Sequence, residues 1–292
     1  MKILGINISH HMSYCVVEDG KVKSFLSEER LNKQKHFGPT LKSFNQIKGL
    51  DLFKDIEFDV VAFTSWIEHK NELQLSELIL DKLKYKKFIF DRENHHKYHA
   101  ISALYHSNLD EAVALIRDGG GAPYSHEYPN HREVDSIWKL NKSRIDFIYG
   151  HYSDARFKRL NKEIKKDNSI LTSRIVGGLK YSNYASQAGF PVEYGQFMGL
   201  APYAEVNKKY DNIDYNAVEL AHKAQTETFD ETCELVEKTN SKNIILSGGY
   251  FLNCLNNFKL VKKYSDINFF VDPIPHDAGT ALGVAVHTAK YI

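Results

Sequence analysis

The apolar residues of this chain alternate between short runs typical of β-strands and longer segments with the 3.6-residue period of a helix. In the first third they predict strands over Lys2–Ile8, Tyr14–Val17, Val22–Leu26, Asp59–Thr64 and Lys87–Phe90, and helices over Glu72–Leu83 and Ala100–Tyr105. Further along they predict strands over Glu111–Ile116, Ile137–Leu140, Ile145–Tyr149, Asn243–Leu246 and Asn268–Val271, and helices over Thr172–Gln187, Tyr215–Val236, Leu252–Tyr264 and Ala281–Tyr291. The pattern therefore indicates an α/β protein.

The order of these elements repeats along the chain. Turn dipeptides at Asp19-Gly20 and Asn141-Lys142 separate β-type runs, so each half is expected to contain a hairpin. This duplication predicts two related α/β lobes that face a cleft, with a first lobe over residues 1–110, a second over 111–276, and a C-terminal helix over 277–292 that returns to the first lobe. The charged stretch Lys158–Asn168 is typical of either a mobile loop or a solvated helix.

Composition adds a few constraints. The 292 residues suffice for two cores, and the 38 basic and 37 acidic residues give a net charge of +1, which offers no argument for a polyanion-binding surface. No apolar run approaches the roughly 20 residues of a membrane span, and Gly5 and Asn7 interrupt the N-terminal run before it reaches the length of a secretory signal. The three cysteines are scattered and form neither a disulfide ladder nor a metal knuckle, so a reduced cytoplasm is expected.

A cluster of histidines precedes one predicted helix. His95 and His99 are spaced i, i+4, which places two imidazoles on one helix face where they can share a metal ion. His96 points about 100° away on the same period, towards the cleft or the surroundings of the metal. The best candidate for a third ligand is Asp277, which ends a predicted strand and opens a helix. The alternatives are a polar helix start with surface histidines and, for Asp277, an ordinary helix N-cap.

Three glycine turns are candidates for binding phosphate through backbone N–H groups. They are formed by Asp118, Gly119, Gly120 and Gly121, by Gly177 and Gly178, and by Ser247, Gly248 and Gly249. Each is by itself consistent with an ordinary turn. The chain contains neither a G-x-x-x-x-G-K-[ST] loop nor a G-x-G-x-x-G motif after its first strand, which excludes the P-loop and dinucleotide-binding classes.

Taken in order, the motifs resemble those of the NodU/CmcH-type O-carbamoyltransferases over nearly the whole chain. The opening turn is similar to G-I-x-x-S-H-D-x-S, and the segment from Glu28 to His36 is similar to E-E-R-x-x-R-x-K-H. His95 to Ala100 matches H-H-x-x-H-A, and Asp118 begins a D-G-x-G turn. The remaining similarities are Gln196–Tyr203 to K-V-M-G-L-A-P-Y, together with the segments Ser247–Cys254 and Asp277–Gly283.

This resemblance implies a two-lobed fold of the actin/hexokinase (ASKHA) superfamily, shared with tRNA threonylcarbamoyl-transferase proteins. It implies that His95, His99 and Asp277 bind a divalent metal, Fe²⁺ first, with Mn²⁺ or Zn²⁺ as alternatives. It also implies ATP and a carbamoyl-adenylate, made from carbamoyl phosphate, as nucleotide ligands, and a small hydroxylated molecule as acceptor.

Further candidates for the chemistry follow from the same motifs. His10 is a candidate base for the acceptor hydroxyl, Lys35 a candidate cation for the adenylate, and His36 and His96 are candidate catalytic residues. The alternatives are a solvated lysine beside the hairpin for Lys35 and a polar loop residue for His36. Asn253 is a candidate to orient the nucleotide or the carbamoyl group, with a helix-start amide as the alternative.

The chain departs from the family pattern at two positions and in its length. His11 stands where the family usually has Asp, and Gln196 where it usually has Lys, which changes the surroundings of the metal or of the acceptor. The family also carries a C-terminal YrdC-like domain that makes the adenylate, so we expect a separate YrdC-like protein to supply it here, unless the chain is a fragment or an unusually compact enzyme. Alternative functions are tRNA threonylcarbamoyl transfer, a non-catalytic partner subunit of the same fold, and sugar phosphorylation. Neither a membrane nor a nucleic-acid partner is expected.

Overall fold

The computed structural model describes residues 1–65, 72–154, 163–191, 194–205 and 214–291. Its strands are β1 (Lys2–Asn7), β2 (Ser13–Glu18), β3 (Lys21–Ser27), β4 (Glu57–Thr64), β5 (Lys84–Asp91), β6 (Glu111–Arg117), β7 (Arg132–Asn141), β8 (Ile145–Ser153), β9 (Glu163–Lys166), β10 (Ser169–Thr172), β11 (Asn243–Ser247) and β12 (Asn268–Val271). Its helices are α1 (Glu28–Asn32), α2 (Glu72–Leu80), α3 (His95–Ser107), α4 (Gly177–Gln187), α5 (Tyr194–Leu200), α6 (Tyr215–Thr239), α7 (Cys254–Lys263) and α8 (Gly279–Tyr291). Within these ranges, none of the helices combines the length and apolar character needed to cross a bilayer.

The chain divides into two compact units. Unit 1 contains Met1–Leu109 and Asp272–Ile292, and unit 2 contains Asp110–Val271. Each unit has its own β-sheet and its own hydrophobic core. The lobe boundaries that the sequence pattern placed at residues 110 and 276 stay a prediction.

Unit 1 is built on a five-stranded sheet with the order β3-β2-β1-β4-β5. β1, β2 and β3 are antiparallel, whereas β4 and β5 run parallel to β1. The predicted turn at Asp19-Gly20 joins β2 to β3, and both residues have the positive φ values, 51° and 74°, that a tight hairpin turn requires. The C-terminal helix α8 packs on β1 and β2 and against α3. This packing is what brings the end of the chain next to the histidine helix.

Unit 2 is built on a seven-stranded sheet with the order β12-β11-β6-β7-β8-β10-β9. The predicted hairpin between β7 and β8 is present, and β11 and β12 run parallel to β6. The long helix α6 starts at an N-cap, Asp214, whose carboxylate accepts hydrogen bonds from the N–H groups of Asn216 and Ala217. α6 packs against α4 and α5.

Two sequence-based predictions in unit 2 are wrong. The helix expected over Thr172–Gln187 begins only at Gly177, because Ser169–Thr172 forms β10, which pairs in parallel with β8. The stretch Lys158–Asn168 was expected to be a loop or a helix, yet its described part contains β9, which pairs with β10. β9 is exposed along its whole length and lies at the edge of the sheet, so it lacks the apolar alternation by which a strand is recognised. Residues 155–162 lie outside the described residues.

Candidate functional site

Three candidate metal ligands lie together in unit 1. The Nε2 atoms of His95 and His99 are 3.2 Å apart, and Oδ1 of Asp277 lies 3.7 Å from the first and 3.8 Å from the second. All three side chains are buried. Asp277 therefore lies beside both imidazoles, as its proposed role as a third ligand requires.

The position of the two histidines is set by the start of α3. The carboxylate of Asp91, at the end of β5, accepts hydrogen bonds from the backbone N–H groups of Glu93 and Asn94. The hydroxyl of Tyr98 also donates to this carboxylate, at 2.5 Å. The first turn of α3 is thereby tied to the sheet, which fixes the direction in which His95 points.

The position of Asp277 is set by its own backbone. Its carbonyl accepts hydrogen bonds from the side-chain amide of Asn7 at 3.2 Å and from the N–H and hydroxyl groups of Thr280 at 3.0 and 2.7 Å. The hydroxyl of Ser13 donates to the next carbonyl, that of Ala278, at 2.8 Å. The segment that precedes α8, Asp272–Ala278, is called the return segment below. These bonds hold the return segment against β1 and β2.

The chemistry of these three residues fits a divalent metal ion. Ligand atoms bound to one ion at about 2.0–2.2 Å lie about 3–3.5 Å from each other, close to the distances seen here. Two imidazoles and one carboxylate are the protein ligands of many non-haem Fe(II) sites and of some catalytic zinc sites. Burial alone would raise the pKa of Asp277, but His10, His95 and His99 lower it well below its usual value. The carboxylate is thus in the ionised form that binds a cation.

His10 lies beside the second carboxylate oxygen of Asp277, Oδ2, whereas His95 and His99 lie beside Oδ1. Its Nδ1 is 3.4 Å from Oδ2 of Asp277, and the side chain is 42% exposed. Ser9 donates a hydrogen bond to the same oxygen, also at 3.4 Å. The imidazole of His10 therefore both contacts a candidate metal ligand and reaches solvent.

His11 and His36 form a close imidazole pair next to His10. Nε2 of His11 and Nδ1 of His36 are 2.5 Å apart, and both residues have positive φ values, 61° and 58°. The ring of His276 stacks on His11 with 4.7 Å between centroids. Burial and the neighbouring His10 lower the pKa of His11 to about 3. Where the family usually has a carboxylate, this chain therefore has a neutral imidazole at neutral pH.

Two glutamates, Glu28 and Glu29, hold the segment from Glu28 to His36 in place through hydrogen bonds. The buried carboxylate of Glu28 accepts hydrogen bonds from the hydroxyl of Tyr14 and from the backbone N–H groups of Lys48 and Gly49. Glu29 accepts the N–H of His36 at 3.1 Å. Sequence reasoning gave neither glutamate a role, since the spacing of the motif does not indicate these contacts.

Lys35 and His96 have opposite environments. Lys35 lies in the exposed turn before His36. His96 is fully buried, with ring centroids 5.9 Å from that of His95 and 6.3 Å from that of His99. Burial and these two histidines lower the pKa of His96 well below its usual value. His96 is thus a neutral neighbour of the candidate ligands and does not face solvent.

The glycine turns that were expected to bind phosphate lie together in unit 2. Gly248 has φ +98°, and a Cβ atom on it would lie 2.1 Å from the carbonyl oxygen of Arg117. A Cβ atom on Gly178 would lie 2.5 Å from the carbonyl of Asp118. The N–H of Gly249 donates to the carboxylate of Asp118 at 3.2 Å. Glycine is therefore required at Gly178 and Gly248, where the second and third turns pack against the backbone of the Asp118 turn.

Not every N–H in these turns is directed at a ligand. Gly121 donates its N–H to the carbonyl of Glu133, continuing the pairing with the next strand. Gly177 donates its N–H to the carboxylate of Glu231 at 3.3 Å. The start of α4 thus already contacts an anionic group of the protein itself.

A buried arginine supports the Asp118 turn, and sequence reasoning missed it. Arg117 is fully buried and binds the carboxylates of Asp135 and Glu231 at 2.7 and 2.9 Å. Its guanidinium also lies over the ring of Tyr250, 4.6 Å from the centroid, and donates to the carbonyl of Thr228. The only hint in the sequence was its place at the end of a buried strand.

Asn253 has local structural contacts, whereas Gln196, one of the two departures from the family pattern, is exposed. The carbonyl oxygen of the Asn253 side chain accepts the N–H of Asn256, so this residue is the N-cap of α7. Its amide group donates to Gln225 at 3.4 Å. Gln196 lies on an exposed face of α5. A role of Asn253 towards a nucleotide stays a prediction.

Comparison with a family model matches residues 222–286 to the carbamoyltransferase N-terminus family. Two curated relatives are each 24% identical: the uncharacterized protein sll1178 of Synechocystis, over 97% of this chain and 56% of the relative, and the nodulation protein NolNO of Sinorhizobium fredii, over 95% and 46%. The chain therefore spans about half the length of the curated relatives it matches.

Solved structures show the same fold at low sequence identity. Full-length HypF, in a phosphate- and nucleotide-bound form, matches 99% of this chain and 55% of its own with a TM-score of 0.59 and 16% identity. HypF of T. kodakarensis matches 99% of this chain and 47% of its own (TM-score 0.57, 13% identity). Component A of the (R)-2-hydroxyglutaryl-CoA dehydratase of Acidaminococcus fermentans covers 99% of this chain and 98% of its own (TM-score 0.53, 12% identity). Over residues 222–286 the chain is thus similar to the N-terminal domain of carbamoyltransferases, and its two-sheet fold is of the actin/hexokinase type that these solved structures share.

Proposed function

We propose that this protein is a metal-dependent O-carbamoyltransferase that moves a carbamoyl group from carbamoyl-adenylate to a hydroxyl of a small molecule. The observation that carries the proposal is the convergence of His95, His99 and Asp277 in a chain whose residues 222–286 match the carbamoyltransferase N-terminus family. Their distances, burial and donor atoms suit a single divalent ion. Fe²⁺ is the first choice, with Mn²⁺ and Zn²⁺ as alternatives.

In the transfer step the acceptor oxygen bonds to the carbamoyl carbon while the bond from that carbon to the phosphate oxygen breaks. AMP leaves with the electron pair of the broken bond, and the hydroxyl proton must be taken up by a base. His10 is the candidate for this base, because its imidazole contacts Asp277 at 3.4 Å and reaches solvent. A metal ion held by the three ligands supplies Lewis-acid stabilisation of developing negative charge.

The nucleotide half of the function is assigned to unit 2. Its glycine turns pack together around Asp118, and backbone N–H groups in such turns bind phosphate oxygens. The related fold of HypF was solved with phosphate and nucleotide, which supports this assignment. We propose that the adenylate comes from ATP and carbamoyl phosphate, either on this chain or on a separate YrdC-like protein.

The test combines metal analysis with a transfer assay. Protein purified without chelator is expected to contain one transition-metal ion per chain, and His95→Gln and Asp277→Asn are expected to contain almost none. The wild-type chain is then incubated with synthetic carbamoyl-adenylate and a panel of sugars, nucleosides and polyketide-like alcohols. Mass spectrometry should detect products heavier by one carbamoyl group, with release of AMP.

Each other outcome points to a definite alternative. Metal without transfer to any alcohol, together with salt-sensitive binding of tRNA, would favour a tRNA-modifying enzyme. Neither metal nor transfer would favour a non-catalytic partner subunit. Transfer from preformed adenylate, but not from ATP plus carbamoyl phosphate, would show that another protein makes the donor.

A further inference from the structure

A second contact joins α3 to the return segment, away from the candidate metal ligands. Nδ1 of His106 lies 2.8 Å from Oδ1 of Asp272. The side chain of Asp272 is fully buried, and that of His106 is 20% exposed. The same oxygen of Asp272 accepts the N–H of Ile274 at 3.0 Å. One carboxylate thus closes a turn in the return segment and also binds the last turn of α3.

His106 lies on the same side of α3 as the candidate ligands. It follows His95 by about three helical turns, so the two side chains project from one face of the helix. α3 therefore contacts the return segment twice, at its first turn through Asp277 and at its last turn through Asp272. The two contacts lie at the two ends of the same short segment.

The chain between these contacts is stiff. Pro273 and Pro275 fix two of the φ angles between Asp272 and Asp277. A Cβ atom on Gly279 would lie 2.4 Å from the carbonyl oxygen of Ile274, so the segment also packs closely on the start of α8. The segment between Asp272 and Asp277 therefore has few free backbone torsions with which to absorb a shift of either residue.

We propose that the His106–Asp272 pair is a positioning device that holds the carboxylate of Asp277 in place for metal binding. The inference rests on the proposed metal site and adds two residues to it that do not touch the ion. Without the pair, the return segment becomes ordered only when the metal binds. The conformational entropy lost in that ordering weakens the affinity for the metal. Groups that hydrogen-bond directly to a metal ligand typically change metal affinity by roughly 10- to 100-fold, and we expect a similar range here because the pair holds the segment that carries Asp277.

The experiment titrates metal-free protein with Co²⁺ and follows the visible ligand-field spectrum. His106→Leu should raise the Kd for Co²⁺ by roughly 10- to 100-fold and alter the spectrum. His106→Asn places a side-chain amide near the original Nδ1 and should restore most of the affinity. Ser107→Ala is the matched control, because it removes the bonds of Ser107 with Leu104 and Leu109 at the same end of α3 without touching the return segment.

The outcomes separate this inference from the proposed function. Wild-type protein that does not bind Co²⁺ contradicts the metal site itself. Wild-type protein that binds Co²⁺, with His106→Leu within twofold of it, overturns the positioning role. If His106→Leu does not fold, His106→Phe decides, because it keeps an aromatic ring of similar size but has no nitrogen that can contact Oδ1 of Asp272. An unchanged Kd in that variant overturns the role equally.

Discussion

Oδ1 of Asp277 lies 3.7 Å from Nε2 of His95, although one residue belongs to α3 and the other to the segment that leads into the C-terminal helix. The candidate metal site therefore exists only after the return segment has folded back on the first part of unit 1. An ion that binds this folded arrangement, and not the unfolded chain, stabilises it by about 2.7 kcal/mol at a concentration 100 times its Kd. Metal binding and the folding of unit 1 should thus be coupled.

The first prediction concerns this coupling. Asp277→Asn should weaken metal binding by more than about 100-fold, beyond what outer-shell changes cause, because the anionic ligand is lost. The increase in thermal stability that added metal gives the wild type should then disappear. Differential scanning fluorimetry of metal-free protein, with and without added Mn²⁺ or Co²⁺, measures the effect.

The control for that prediction is Asp55→Asn, which changes an acidic residue that is 82% exposed and pairs with Lys84. It should keep the full metal-dependent stabilisation. If Asp277→Asn keeps it as well, the carboxylate is not a ligand.

The sequence predicted the candidate ligands because each has a local signature. The i, i+4 spacing of His95 and His99 is visible on the helix itself, and Asp277 stands between a predicted strand and a predicted helix. Most strands were also predicted, since their apolar runs are buried in the two sheets. β9 was missed because an exposed edge strand carries no apolar alternation.

The supporting contacts were not predictable in the same way. Arg117 and Asp135 are far from Glu231 in sequence, and only the packing of α6 on the sheet brings the three together. His106 and Asp272 likewise meet through the return of the chain to α3. Such pairs depend on tertiary structure, and no spacing in the sequence indicates them.

The second prediction concerns the glycine turns. Gly248→Ala should destabilise unit 2 by about 1–3 kcal/mol, since alanine is strained at φ +98°. It should also weaken binding of a non-hydrolysable ATP analogue, because the new Cβ atom pushes the turn away from the carbonyl of Arg117. Chemical denaturation and calorimetric titration measure the two effects.

Gly120→Ala is the matched glycine control, because a Cβ atom there meets no atom within 4 Å. This variant should fold with nearly wild-type stability. Equal losses of stability in both variants would show that backbone strain at Gly248 is not the cause.

The third prediction concerns Arg117. Arg117→Met should destabilise the protein by about 3–5 kcal/mol, because the buried carboxylate of Asp135 loses its principal cationic partner. Arg144→Met serves as control, since Arg144 is 74% exposed and pairs with Asp146 at the surface. The free energy of unfolding from urea titration compares the two. A loss below about 1 kcal/mol for Arg117→Met, typical of a surface ion pair, would contradict the structural role given to this arginine.

The fourth prediction concerns pH and His287, on α8 and outside the candidate ligands. Burial, with Lys97 nearby, lowers the pKa of His287 from 6.5 to about 4. Between these pH values the unfolded chain binds a proton at this residue and the folded chain does not. The free energy of unfolding therefore rises with pH across this window, and stability is lost as the pH falls from 6.5 towards 4.

In His287→Gln this proton no longer binds to either state, so the difference in unfolding free energy between pH 6.5 and pH 4.5 should become smaller than in the wild type. Urea titrations at both pH values, in the presence of a chelator so that metal binding does not contribute, measure that difference. Burial lowers the pKa of His11 to about 3, so His11 also makes the free energy of unfolding rise with pH. In the double variant that adds His11→Gln, the unfolding free energy should therefore change even less between the two pH values. A pH dependence that is unchanged in His287→Gln would mean that the folded protein takes up this proton as readily as the unfolded chain does.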